Sequence, residues 1–311
     1  INFTGTAPWT VSLDGAAPVT TSSNPETIPV SPSVTKTYEL TALSDANCNA
    51  SAWISVAAGS SHVLGVKYDG SLWSWGYNLV GQLGIGNNTN ANQPVRVGTS
   101  TDWAAVSAGD AHSMAIKKNG TLWLWGDNST GQVANGTFTG TYNTPQQVGS
   151  ASNWVKADAG NSYCMALKSD GTLWGWGSNV NGYLGDGTNT GMNIPVQAGT
   201  DTDWKDVSAG LNHTLGLKSN GTLWAWGLGS VGQLGGATPG NSPSQVGLES
   251  NWGSICAGEY NSLAIKKTGS LWGWGWNQWG ELGRGNFIQT NVPAQVGTAN
   301  NWQSVSLYAR H

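Results

Sequence analysis

Six tryptophans set a beat along this chain: Trp53, Trp103, Trp154, Trp204, Trp252 and Trp302 stand 50, 51, 50, 48 and 50 residues apart. A period of this length constrains a fold more than any local signal. Each repeat is one supersecondary unit that can bury its apolar face only against a neighbour. With each of these tryptophans as position zero, Ala-Gly follows at positions five and six in five units, from Ala58-Gly59 to Ala257-Gly258. Lys occupies position 14 in the same five units, as Lys67, Lys117, Lys168, Lys218 and Lys266. A W-x-W-G run begins at position 20 and Gly returns at position 28. A Pro-x-x-[Val/Ala]-Gly segment, such as Pro94 to Gly98, closes each unit. Residues 51–311 thus hold five units (53–102, 103–153, 154–203, 204–251, 252–301) and the start of a sixth, 302–311.

Each unit reads as strands. His62 to Lys67 and Leu72 to Gly76 flank Asp69-Gly70, and the equivalents of that pair are Asn119-Gly120, Asp170-Gly171, Asn220-Gly221 and Thr268-Gly269. Asp-Gly and Asn-Gly supply the positive φ angles of a two-residue hairpin turn. Further strands after the leading Trp and after the Pro make four per unit, the pattern of a β-propeller blade. The composition agrees, with 45 Gly and only 10% charged residues favouring sheet and turns over helix. In Leu72-Trp73-Ser74-Trp75-Gly76 the two indoles share one strand face, so both tryptophans of each pair are expected in the core. Three connections are expected on one face of the disc: the loop before position nine, the loop after W-x-W-G, and the long loop before Pro. The Asp-Gly turns fall on the other. Repeat lengths differ only in the long loops, with spans such as Ile85–Gln93, Asn135–Thr144 and Gly236–Ser242, which makes theirs the variable face.

The string AGxxHSxxxKxxGxLWxWGxNxxGQLGxG resembles the repeat of the regulator of chromosome condensation family, most clearly at Ala108 to Gly126 and Gly81 to Gly86. The resemblance implies an all-β propeller with more blades than this chain has units, hence an open fragment of a larger ring. Departures are Tyr163 and Asn261 at the His position, Val133-Ala134 for Leu-Gly, and Leu307-Tyr308 for Ala-Gly. Residues 1–50 do not follow the period. There TIPVSPSVTKTYELTALSD resembles the end of an immunoglobulin-like module common in modular bacterial exoproteins, a β-sandwich remnant in which Cys48 has lost its partner. That resemblance implies flanking domains and an extracellular or cell-surface location.

The residues offer little catalytic chemistry. His62, His112, His213 and His311 all fall at position nine, so the repeat places them, and a structural hydrogen-bonding role is expected. No nucleophile elbow, zinc-protease, P-loop or CxxC motif occurs. Asp186-Gly187-Thr188-Asn189 lacks the ligand series of a calcium loop and reads as a polar loop. Cys164 and Cys256 belong to units that are not neighbours, which argues against a bond between them. No catalytic residue, cofactor or metal is expected. A net charge of −4, with the lysines near acids at the turn face, gives no nucleic-acid footprint. No run reaches the roughly 18 apolar residues of a membrane-inserted helix.

The sharper signal is aromatic. Unit five places Tyr260 before position nine, Trp276 and Trp279 after W-x-W-G, and Phe287 in the long loop, with Arg284 close by. Trp276 corresponds to Tyr77, Asp127, Ser178 and Leu228, so the repeat leaves this position free. Clustered Trp, Tyr and Arg are hot-spot residues. The expectation is a non-enzymatic module binding a protein or glycan partner through these residues, with Asn277 and Gln278 as polar neighbours for a sugar. Alternatives are an enzyme inhibitor like the propeller that inhibits β-lactamase, and guanine-nucleotide exchange. Light sensing, also known in the family, depends on many arginines, and this chain has only Arg96, Arg284 and Arg310.

Overall fold

The computed structural model describes residues 9–13, 19–21, 40–44 and 52–307, which form strands and turns without a helix. The chain divides into two units, residues 1–53 with 67–69, and residues 54–66 with 70–311. In the first, Trp9–Leu13 pairs antiparallel with Val19–Thr21 on one side and Leu40–Ser44 on the other. Most of the segment read as immunoglobulin-like lies outside the described residues, as do Cys48 and His311.

Five four-stranded antiparallel sheets follow, each built from one repeat with its strands in chain order. The third is typical: Trp154–Ala159, Tyr163–Lys168, Leu173–Gly177 and Met192–Gln197. Its hairpin needs Gly171, which has φ of +77° and where a Cβ would strike the Thr202 carbonyl. The fourth strand spans the Pro rather than following it. Pro195 falls where the register slips between Gly175 and Gly177, so its missing N–H breaks no ladder bond. The expected three connections on the variable face are two. The loop after W-x-W-G and the loop before Pro are one continuous crossing from third strand to fourth, residues 178–191 in this blade.

The core lies between blades. Met114, Ile116, Leu122 and Leu124 of blade 2 pack against Trp154, Ala166 and Trp176 of blade 3. Leu215, Leu217 and Leu223 of blade 4 likewise meet Trp252 and Trp274 of blade 5. Each blade therefore shows an aliphatic face to the next blade and an indole face to the one before, which is what stacking requires of a repeat.

The two indoles of each pair are not equivalent, which corrects the expectation that both are core. Trp125, Trp176, Trp226 and Trp274 are fully buried, whereas Trp123, Trp174, Trp224 and Trp272 are half-buried. The buried Trp226 donates Nε1–H to the Tyr183 carbonyl of the preceding blade at 2.9 Å. The half-buried Trp224 donates only to Thr222 Oγ1, two residues away in its own turn. The first indole faces the turn side, where the position-14 lysine covers it: Lys168 Nζ stands 4.0 Å from the Trp174 ring and Lys266 Nζ 3.6 Å from Trp272.

Position nine latches each blade to the next. Ser113 Oγ donates to the Gln82 carbonyl at 2.7 Å, so it accepts from His62 Nε2–H at 2.9 Å. The hydroxyl has one proton, and this fixes the imidazole tautomer. His213 meets Ser262 in the same way. At the other two junctions Cys164 Sγ lies 3.1 Å from His112 Nε2, and Tyr163 takes the histidine's place, its hydroxyl 3.0 Å from Thr214 Oγ1. Burial holds His62 and His112 down to pKa of about 4 and His213 to about 3. Their Nδ1 atoms are buried without a partner, so a second proton would have no acceptor. His62, His112 and His213 are structural. Cys164 and Cys256 are free and buried, and burial raises both thiols, Cys256 to about 11.

The first strands of the blades surround a shaft of about 530 Å³. Side chains at position four bridge neighbouring blades there. Ser107 Oγ accepts the Ala159 N–H, Asp158 Oδ2 the Ala209 N–H, Ser208 Oγ the Ala257 N–H, and Cys256 Sγ the Leu307 N–H. Burial raises the Asp158 pKa, against the opposing effects of Lys156 and these hydrogen bonds. Lys156 itself pairs with Asp206 across the shaft wall.

The ring is not closed. Residues 301–307 add no strand. They lie against blade 5, whose Ile265, Leu271 and Val296 cluster with Val305. Trp302 is 44% exposed, against 1–4% for Trp103, Trp154, Trp204 and Trp252. Trp75 of blade 1 is likewise half-buried where its equivalents in the other blades are sealed.

Candidate functional site

Four of the five long loops of the variable face are pinned from within by a side-chain amide. A buried Asn, two residues past W-x-W-G, clamps each of blades 1, 2, 3 and 5. In blade 5, Asn277 Oδ1 accepts the Leu282 N–H at 2.9 Å, while Nδ2 donates to the carbonyls of Asn286 and Ile288. Asn78, Asn128 and Asn179 make the same set. The amide of Asn277 is therefore spent inside the loop, and it is not the polar neighbour for a sugar that the sequence suggested. Gln278 beside it is exposed. Asp186 is also committed locally, its Oδ1 accepting the Thr188 N–H at 3.0 Å and an Asn179 Nδ2–H at 3.1 Å.

On this scaffold the sequence-selected aromatics of blade 5 fall into two groups. Tyr260 and Trp276 are half-buried and adjacent, because the Trp276 N–H donates to the Tyr260 carbonyl at 2.9 Å. With Trp279 they wall a cavity of about 370 Å³ whose lining also includes Glu259, Gln278 and Glu281. Asn261 and Val231 complete the lining, and Val231 comes from blade 4, so the cavity sits at a blade junction. Phe287 and Arg284 do not line it. Phe287 lies beside Gly280, with ring atoms 3.5 Å from where a Cβ there would stand.

The second group is a ridge. Trp279 and Phe287 are each 72% exposed and Ile288 is 70% exposed. Leu79 and Val180 are also exposed on the loops of blades 1 and 3, but blade 5 carries three side chains at 70% or more, and desolvating each against a partner would be favourable. Ile288 was not singled out in the sequence because no period marks it. Its only signal is a second large apolar residue directly after Phe287. Glu281 carries a clearer signal, since blades 1, 2 and 4 have Gln82, Gln132 and Gln233 there.

The turn face is occupied differently. Lys117 pairs with Asp102 at 3.0 Å, Lys218 with Asp201 and Asp203, and Lys266 with Glu249 at 2.9 Å. Partial burial alone would lower the Lys218 pKa, but its two carboxylate partners outweigh this and raise it. Among the described residues no cluster of His, Cys, Asp or Glu could hold a metal ion. No helix of the described residues is long and apolar enough to cross a membrane.

Comparison with known proteins matches this geometry to one repeat. A model for the regulator of chromosome condensation (RCC1) repeat matches residues 69–116, 119–167, 170–217, 220–265 and 268–311. A second model of the same repeat matches 53–82, 103–132, 154–182, 204–233 and 254–280. The ultraviolet-B receptor of Arabidopsis thaliana is 30% identical over 137 residues, 43% of this chain and 31% of the receptor. Among solved structures, yeast RCC1 (Prp20) bound to Kap60 superposes with a TM-score of 0.72 at 24% identity, covering 83% of this chain. Human WBSCR16 superposes with a TM-score of 0.70 at 21% identity, covering 78% of this chain. The chain spans 66% of the length of each of these two structures. At such identities the likeness establishes the fold.

Proposed function

This chain belongs to the regulator of chromosome condensation (RCC1) repeat family, and on that premise we propose that it is a non-enzymatic interaction module gripping a protein partner through the variable face of blade 5. The observation that carries this reading is the ridge of Trp279, Phe287 and Ile288, at least 70% exposed on a loop clamped by Asn277. A preordered loop loses little conformational entropy on binding, so more of the burial energy becomes affinity. Yeast Prp20, similar in fold, is known in complex with the protein Kap60. An extracellular or cell-surface setting belongs to the same reading and rests on the sequence pattern of residues 27–45.

The reading is tested with the immobilised chain and a Phe287→Ser/Ile288→Ser variant, each exposed to the same protein extract and then to the purified partner it captures. Two hot-spot side chains at about 2 kcal/mol each, about 4 kcal/mol together, should weaken that partner's Kd on the order of 500-fold or more. Melting temperature should stay within about 2 °C, since both side chains are mostly in water already. A partner whose affinity ignores the double substitution would place the binding surface elsewhere.

A further inference from the structure

We propose that the cavity between blades 4 and 5 is an aromatic cage for a quaternary ammonium group, the trimethylated side chain of a lysine on the partner. The inference rests on the reading of the variable face as a protein-binding surface and narrows the partner to one carrying that modification. Three aromatic residues, Tyr260, Trp276 and Trp279, wall the cavity, and Glu259 and Glu281 bring two carboxylates to it. No Lys, Arg or His lines it. Aromatic faces attract a cation through the ring quadrupole, most strongly when the cation is poorly hydrated, as an alkylated ammonium is.

The clearest evidence is the carboxylate of Glu281. In blades 1, 2 and 4 the equivalent Gln caps a backbone N–H: Gln82 Oε1 takes that of Val80, Gln132 that of Thr130, and Gln233 that of Val231. Glu281 Oε2 makes the same cap to Trp279 N–H at 2.9 Å. An amide therefore suffices for the loop, and the negative charge is surplus to it. The other oxygen, Oε1, is shut off from solvent and has no hydrogen-bond partner. An unpaired buried carboxylate oxygen in the wall of that cavity is stabilised by a cation arriving there, through its charge. No other blade repeats this set: where blade 5 has Trp276 and Trp279, blade 2 has Asp127 and Thr130, and blade 3 has Ser178 and Asn181. The two carboxylates also choose between sources of the group. They repel the phosphate that accompanies a choline headgroup and leave a lysine-borne ammonium favoured.

The test is titration of the full chain with Nα-acetyl-trimethyl-lysine amide, followed by tryptophan fluorescence and calorimetry. Parallel titrations use unmethylated lysine, a neutral tert-butyl isostere and phosphocholine. Saturable binding is expected for the trimethylated form, with the isostere weaker by about tenfold or more. Glu281→Gln keeps the N–H cap, so it should leave the melting temperature unchanged while weakening binding by a similar factor. Trp279→Ala, at an exposed position, should also lose affinity without unfolding. The proposal is overturned if the isostere binds as well as the cation, if Glu281→Gln changes nothing, if phosphocholine binds more tightly, or if nothing saturates by millimolar concentration. Failure here leaves the ridge reading standing, because the Phe287→Ser/Ile288→Ser comparison reports on it separately.

Discussion

Replacing Trp226 by Ala should destabilise the protein by roughly 3–5 kcal/mol, the range for truncating large buried aromatic residues. The indole is wholly buried between blades 3 and 4, where it packs with Leu173, Leu184 and Ala198. Its loss leaves a cavity that a stacked repeat cannot collapse without moving a blade. The Tyr183 carbonyl also loses one of its two donors and keeps only Thr214 Oγ1. Trp224→Ala, two residues earlier, should cost about half as much. That indole is half-buried: it meets Trp204 edge-on at 6.0 Å, bonds within its own turn, and has the Lys218 ammonium 4.6 Å from its ring. Denaturant unfolding of the two variants decides the matter, and equal losses would contradict the division of labour within each W-x-W-G pair.

Acidification below neutrality should weaken the fold steeply. His62, His112 and His213 have folded pKa of about 4, 4 and 3, all lowered chiefly by burial. The sign follows from the unfolded value of about 6.5. Above it both states are neutral and stability is flat. As pH falls from 6.5 towards 4 the unfolded chain takes up protons that the folded chain refuses. Each histidine then removes up to about 1.4 kcal/mol per pH unit, and the loss levels off only below the folded pKa. Three together lower stability by about 4 kcal/mol per unit near pH 5, partly offset at lower pH by Asp158, whose raised pKa acts in the opposite direction. Unfolding midpoints measured between pH 7.5 and 4.5 test this, and His213→Asn, the residue that blade 5 itself uses as Asn261, should flatten the curve by about a third. A profile flat to pH 4.5 would mean that the imidazoles are accessible to protons in the folded state.

What the sequence disclosed was whatever depends on periodicity. The Asn-Gly and Asp-Gly pairs marked the hairpins, and the observed second strands run from position nine to position 14 as the spacing implied. The structural role of the histidines was legible because Tyr163 and Asn261 replace them without disturbing the strand. What stayed hidden depends on the contact between blades, which no single repeat encodes. Alternation along a strand puts both indoles of a pair on one face. It cannot say that the second lies beneath a neighbour's loop while the first looks towards the turns. The commitment of Asn277 was hidden because its partners are main-chain groups, the Leu282 N–H and the Asn286 and Ile288 carbonyls, which no residue type marks. Tyr260, Trp276 and Trp279 stood out by departing from the pattern. Their cavity also needs Val231 of the preceding blade, which only packing supplies.

The bridging side chains around the shaft make the junctions unequal. Position four is a hydroxyl in Ser107, a carboxyl in Asp158, a hydroxyl in Ser208 and a thiol in Cys256, while Ala57 offers no acceptor in blade 1. Sulfur is a weak acceptor and a methyl is none, whereas Asp158 receives both the Ala209 N–H and the Ser107 hydroxyl. In a linear array whose stability is a sum of unit and nearest-neighbour terms, such grading sets a direction of failure. By this measure the bridges through Asp158 couple blades 2 to 4 most firmly, while blade 1 reaches blade 2 on this side only by a long bond, Val106 N–H to Ser55 Oγ at 3.4 Å. Loss of order in such an array is expected to start at its weaker junctions and to reach the Asp158 bridges last.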